Sequence, residues 1–490
     1  MAVLKKLSVT AALVAAACLP AGAQSARAHA HRTVATQSAV AQAEFDRGLG
    51  MLYAFNVGEA RLAFKAAETA DPHAAVAYAC EAVADTIDIN LPSTSAGEAR
   101  GATAVARGRA SASDASGDDR ALLEAVAVRY DLSKPLKQRY VAYFSAMQQY
   151  ADTHASDGMA HTLAAYAGWN AVDLLTDGSR QLVPSAKTML DDLSAAVALD
   201  PDDLGAHHLL IHFWEGAGHP ERALPDANYL AGLTYDPGQS HLPHMAGHTY
   251  ARVGNYDALV AVNEAAVHYD EAYSQLGNGD GQRYMQLYHD HDVGFVLYGL
   301  TTVGRDAEAR TFAAKESAFE RGLLALRLHD GSRAAALLPA TSAMGVVAEV
   351  RSGDLAAADR DLAVLAKAGT DDAAIALPRA VIERAKHEDD AAVRDYRIAL
   401  SKQGNDLGDP KNSWSTPVGE GLGATLLEAQ RYPEAQAVFE RELVRYPNDP
   451  HLFFGLAEAL KAQGKDDTAA RRSYTDAWRG EHALTLADLG

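Results

Sequence analysis

Cysteine is almost missing from this chain: Cys18 and Cys80 are the only two in 490 residues. Cys18 lies in an N-terminal apolar run, so a processed chain keeps Cys80 alone. One cysteine excludes an internal disulfide framework and argues against thiolate as a metal ligand. Long apolar segments are also missing. The run Leu7 to Leu19 is too short to span a bilayer, and no later segment is apolar enough. No convincing alternation of apolar and polar residues marks a strand. A Gly-rich phosphate loop, a nucleophile elbow and a Cys-x-x-Cys are all absent, which removes the enzyme classes built on them. Basic residues are outnumbered 44 to 64, for a formal charge of −20. Such a chain repels phosphate backbones and anionic lipid, so nucleic acid and membrane surfaces are poor partners. Most of the charge reads as solvated helix surface.

The N-terminus carries Lys5 and Lys6, the short apolar run, and Ala21-Gly22-Ala23. This reads as a signal peptide over 1–23, with a mature end at Gln24 and a periplasmic or secreted product. Ala15 stands where a lipoprotein signal carries a branched aliphatic, which favours cleavage over lipidation at Cys18. Residues 24–40 read as a disordered arm. Helical repeats follow over 41–200, His-rich helical repeats over 201–320, and further helical repeats over 321–490. The stretch 93–118 is loop-like in composition, although an Ala-rich helix also fits there. A long connector is expected over 404–416.

Ala-rich segments with helical apolar spacing run nearly end to end, in pairs of about a dozen residues joined by short turns. One pattern recurs: a turn residue, then Ala five positions on. It appears as Gly304/Ala309, Gly353/Ala358 and Gly464/Ala469, and with Gly replaced as Phe55/Ala60, His387/Ala392 and Gln430/Ala435. At Gly254 the expected Ala is Leu259. Glycine suits a tight turn between antiparallel helices, and a small Ala lets the second helix approach the first. Asp71-Pro72, Asp200-Pro201 and Asp449-Pro450 read as unit ends. The clearest units are 420–447 and 451–480. These features predict an all-α solenoid of antiparallel helical hairpins with no sheet, of the tetratricopeptide kind with a period near 34 residues.

Ten of the 19 histidines fall between His207 and His291. His208 and His212 are four apart, with Glu215 three further on. His241, His244 and His248 follow at spacings of three and four, and His291 lies in the next helical segment. Residues three and four apart share one helix face, so these are stripes of imidazole. First helices of successive hairpins line one concave wall, with neighbouring axes about 8–10 Å apart. The stripes are therefore expected to converge in a groove. His212, His244 and His248 are the leading ligands for one ion, with His208, His291, His241 or Glu215 completing its shell. His207 points about 100° from His208 and falls outside the site. His219 and His268 read as solvated, and His289 as facing elsewhere. Glu215 is a candidate general base, a ligand, or a partner for an arginine such as Arg252. Asp270, Asp290 and Asp292 could add carboxylates to the site, but an acidic chain offers such residues everywhere, which favours an ordinary role. Trp214, Tyr250 and Tyr288 wall a pocket or pack in the core.

The segments Ala206-His207-His208-Leu209-Leu210-Ile211-His212-Phe213-Trp214-Glu215, Glu221 to Pro225, and His241-Leu242-Pro243-His244-Met245-Ala246-Gly247-His248 through Gly254 resemble a family of exported bacterial tetratricopeptide-repeat proteins. That family carries an H-x-x-x-H-x-x-E segment, a G-H-x-x-H-M-x-x-H segment and a later H-N-x-H segment. The resemblance extends from Phe45 through the last two units. It implies a fold and a histidine site more than an activity. Ser240 stands at the family's Gly, Asp292 at its Asn, Gly294 at its second His of the last segment, and Asp449-Pro450-His451 at its C-terminal Asn-Gly-Trp.

The leading functional expectation is an exported protein that binds a divalent transition metal (Cu, Zn or Fe) through histidines in its groove. Metal-dependent catalysis on a small molecule or peptide would be its extension, with Glu215 as the proton-transfer group. The rivals are a non-catalytic scaffold that holds a peptide or protein partner in the groove, and a metal storage or delivery protein.

Overall fold

The computed structural model describes all residues except 1–25, 87–88, 91–92, 113–114, 116, 277–280, 370–373 and 403–413. The expected signal peptide, Cys18 and most of the expected 404–416 connector lie outside the described residues. The rest is an all-α array of antiparallel helical hairpins. It opens with Ala39–Tyr53 and Val57–Ala70 and closes with Pro450–Ala462 and Thr468–Ala477.

The turn-plus-five pattern has a single physical cause. Phe55, Gly304, Gly353, His387, Gln430 and Gly464 all take positive φ, between 57° and 88°. Each ends a helix in the left-handed conformation, so the next N–H reaches back to an orphaned carbonyl of the last turn. The bonds Asn56 N to Met51 O, Arg305 N to Leu300 O and Arg431 N to Leu426 O are examples, at 2.8–3.0 Å. The Ala five positions on is buried at Ala60, Ala309, Ala358, Ala392 and Ala435. Ala469 departs from this: it is exposed and its neighbour Ala470 is buried, because the last helix begins late, at Thr468. Two further units share the geometry, Gly218/Ala223 and His329/Ala334, both with positive φ at the turn and a buried Ala. Asp449-Pro450 opens a helix instead of closing a unit. Asp449 caps Pro450–Ala462 by accepting from His451 N and Leu452 N, and proline suits the first helical position. The region 93–118 holds the helix Ser95–Ser111, capped by Thr94.

Two expectations about the N-terminal region differ from the structure. Residues 26–38 are packed, with Ala28, Ala30 and Val34 buried. Arg32 bonds to Asp119 at 3.1 Å and to Asp157 at 3.0 Å, which ties the segment to two separate hairpins. Ala26–Arg27 also pairs in parallel with Leu233–Thr234, a minimal sheet where none was expected. Leu233–Thr234 is a short extended link between helices, and its Thr234 carbonyl accepts from Ala28 N at 2.7 Å.

The array curls onto itself. Asn56 of the first hairpin donates to Gly238 O at 3.1 Å, and Tyr273 donates to Glu59 at 3.2 Å. From the other end, Tyr256 donates to Pro447 O and Asn448 donates to Gly254 O. Arg479 grips Asp257 through two bonds of 2.6 and 2.7 Å. Both ends therefore close around the His-rich hairpins. No helix among the described residues is long and apolar enough to cross a membrane.

Candidate metal centre

Three helices carry the six histidines: Leu204–Gly216, His241–Val253 and Gly281–Thr302. The first is capped by Asp203, whose side chain accepts from Ala206 N. The second ends at Gly254 in the left-handed conformation. The helical phase of each stripe is set by these ends, and the hairpin stacking turns the stripes toward one another.

All six rings come together, but not in the expected grouping. His208, His212 and His241 form one triad, and His244, His248 and His291 form a second. Within each, one nitrogen from every ring lies within 4.8 Å of the others. His212 therefore belongs with His208 and His241, not with His244 and His248. The i, i+4 pairs explain this, because each closes on itself. The Nε2 atoms of His208 and His212 are 3.1 Å apart, and those of His244 and His248 are 3.0 Å apart. His241, one turn before His244, falls to the side of Leu204–Gly216. His291 reaches the other side from Gly281–Thr302.

The open groove is also not what the structure shows. His208, His241 and His244 are buried, and His212, His248 and His291 are partly so. The first hairpin covers the rings of His208, His212 and His241. Gly205 permits its close approach, since a Cβ there would sit 2.5 Å from the Tyr53 ring. This contact brings the Tyr53 carbonyl within 2.6 Å of His208 Nδ1.

The outer nitrogens of His208, His244 and His248 each face an accepting oxygen. His208 Nδ1 donates to the Tyr53 carbonyl. His244 Nδ1 donates to Asn263 Oδ1 at 2.7 Å, with Asp292 Oδ1 at 2.8 Å. Asn263 is held in that orientation because its Nδ2 donates to Leu259 O at 2.9 Å. His248 Nδ1 lies 3.1 Å from Glu215 Oε1, which also accepts from Arg252 at 2.6 and 3.1 Å. A neutral imidazole that donates through Nδ1 presents a lone pair at Nε2. His244 and His248 bring their Nε2 atoms 3.0 Å apart. Two nitrogens on one tetrahedral ion at 2.0–2.1 Å would lie about 3.3 Å apart, close to the spacing seen. His241 is the other anomaly. Both its ring nitrogens are buried and have no hydrogen-bond partner among the described residues.

Burial dominates the protonation of the first triad. It lowers His208 to about 3, and it holds His212 and His241 well below the usual histidine range, helped by the neighbouring imidazoles. These rings stay neutral, the form that ligates metal. Burial alone would raise Glu215, but His248 and Arg252 outweigh it and hold the carboxyl well below its ordinary value. Burial, then Asp270, raise Asp292 well above the usual range.

The remaining expectations sort cleanly. His207 lies outside both triads, bonded to Asp226 and the Pro201 carbonyl. His289 faces Asp270 and Glu316, which raise it to about 10. His268 and Asp290 are exposed. Asp270 and Asp292 are buried beside the site. Tyr288 stands against His241 with ring centroids 4.4 Å apart, whereas Trp214 stacks under Arg222 and Tyr250 bonds Asn228. The sequence reading missed a phenylalanine on each triad. Phe55 lies 4.5–6.0 Å from the three rings of the first, and Phe295 lies 4.7–4.9 Å from the three rings of the second. Phe55 left one signal: a bulky residue at a turn position that Gly fills elsewhere.

Neither a protein-family model nor a curated protein matches the chain. Among solved structures, the crystal structure of the P58(IPK) TPR domain is similar at 12% identity. The match covers 82% of this chain and 99% of that one, with a TM-score of 0.22. The hairpin architecture rests on the helices and turns described above.

Proposed function

We propose that this protein binds transition-metal ions through His208, His212 and His241 and through His244, His248 and His291. The observation that carries the reading is the pair of Nε2 atoms of His244 and His248, facing at 3.0 Å with both Nδ1 atoms committed as donors. A cation held between them accounts for that spacing, since two imidazole nitrogens on one tetrahedral ion lie about 3.3 Å apart. The partnerless nitrogens of His241 support the same reading, since a buried imidazole without partners costs about 1–3 kcal/mol. An all-imidazole donor set suits copper, zinc or iron. Three histidines leave a position open for water or a small molecule, so metal-dependent catalysis is the extension of this reading. Glu215 then serves to orient His248, because its Oε1 is taken by His248 and Arg252. The scaffold reading loses ground because half of the imidazoles are buried beyond a peptide's reach. Export remains part of the proposal on the leader alone, with a periplasmic or secreted product.

Elemental analysis of chain purified without chelator tests the reading. At least one equivalent of Cu, Zn or Fe is expected, and replacing His244 and His248 together by Ala should lower it with helix content unchanged. A chain that carries no metal and takes none up would leave the peptide scaffold as the better account.

A further inference from the structure

Resting on that reading, we infer that the two triads are halves of one dinuclear centre, whose two ions share a small oxygen-donor bridge drawn from solvent. His241 and His244 carry the first part of the argument. They lie one turn apart on a single helix, with ring centroids 5.6 Å apart and planes 23° apart, yet they serve different triads. An imidazole holds its ion at about 2.0–2.1 Å, so rings this close and this parallel place their ions side by side. Both His208 and His212 also lie within electrostatic reach of His244 and His248.

The donor set carries the second part. Two divalent ions at such a separation repel, and paired-metal sites hold them together with an anion between. None of the six ligands is anionic. The adjoining carboxylates stand behind the rings: Glu215 on His248 Nδ1, and Asp292 beside His244 Nδ1. Neither lies on the metal-facing side, so the bridge must come from outside the protein. Water supplies it by losing one proton to solvent, leaving hydroxide bound to both ions.

The walls of the two triads are aromatic. Phe55 and Phe295 back the two triads, Tyr288 lies on His241, and Trp169 lies edge-on to His212 at 6.2 Å.

Copper(II) is the probe. The full chain, stripped and reloaded, is passed over a chelating resin, and its copper content and electron paramagnetic resonance spin count are compared. Two ions per chain with a spin count far below two are expected, because a hydroxide bridge couples the two spins antiparallel. His212→Ala and His248→Ala should each keep one ion and recover a signal of nearly one spin. Two ions with full signal would mean independent sites, and one ion in the wild type would mean a single site. Either result overturns the dinuclear inference and leaves metal binding intact, whereas no retained copper overturns both. Circular dichroism shows whether the variants fold, and should they not, the wild-type spin count decides alone.

Discussion

Asn263 accepts the Nδ1 proton of His244 across 2.7 Å and belongs to no ligand set itself. Its amide is pinned on the other side by the Leu259 carbonyl, and Gly247 lies directly beneath it. A Cβ on Gly247 would come within 2.2 Å of Asn263 Nδ2. A glycine in the sequence of the second helix is thereby tied to the aim of an imidazole.

Asn263→Ala and Gly247→Ala should therefore weaken metal binding without removing a ligand. Loss of an orienting partner behind a ligating histidine costs about 10–100-fold in affinity. Competition with a chelator of known affinity measures it. Affinity unchanged in both variants would show that His244 needs no such support.

Opposite signs are expected at two turns with the same backbone. Phe55 and Gln430 both have φ 57°. Gln430 is exposed, so Gln430→Gly should stabilise by up to about 1 kcal/mol as the left-handed penalty is relieved. Phe55→Gly gains the same relief but deletes a buried ring, for a net loss of roughly 2–4 kcal/mol. Urea midpoints give both values, and two shifts of the same sign would contradict the account.

A buried ion pair outside the candidate site should dominate the stability of the C-terminal hairpins. Arg327 meets Glu420 at 2.9 and 3.2 Å, and both side chains are buried. Glu420→Gln removes the carboxylate in contact with the buried guanidinium, and about 3–5 kcal/mol should be lost. Replacement of both residues by apolar ones of similar size should cost much less. Equal losses in the single and double variants would refute the pairing argument.

Acid should destabilise the chain partly through His329. Burial, then Arg351 and Arg327, lower this imidazole to about 3. The unfolded chain takes up that proton below about 6.5, whereas the folded chain refuses it until about 3. Stability from this group is therefore present above pH 6.5 and falls as pH drops toward 3. His329→Asn keeps a residue that tolerates its φ of 55° and removes the titration. The variant's urea midpoint should fall less between pH 7 and pH 4 than the wild type's. Parallel curves would exclude His329 as a contributor.

Much of this protein was legible before any coordinates. The turn residue followed by Ala at five is a local device, set by a left-handed helix end and the first close approach of the next helix. Both are fixed within half a dozen residues, so Gly304/Ala309 and Gln430/Ala435 announce hairpins in the sequence. The i, i+4 spacing of His208 and His212, and of His244 and His248, is equally local, because helical periodicity alone puts each pair on one face. What the sequence could not decide was which pair joins which third ring. That choice depends on how the helices stack, so only the tertiary structure gives His241 to the first triad and His291 to the second. The Phe55 ring, the Tyr53 carbonyl and Asn263 reach the site only because the array curls and its hairpins pack. Contacts such as that between Tyr53 and His208, 155 residues apart, leave no periodic trace in a sequence.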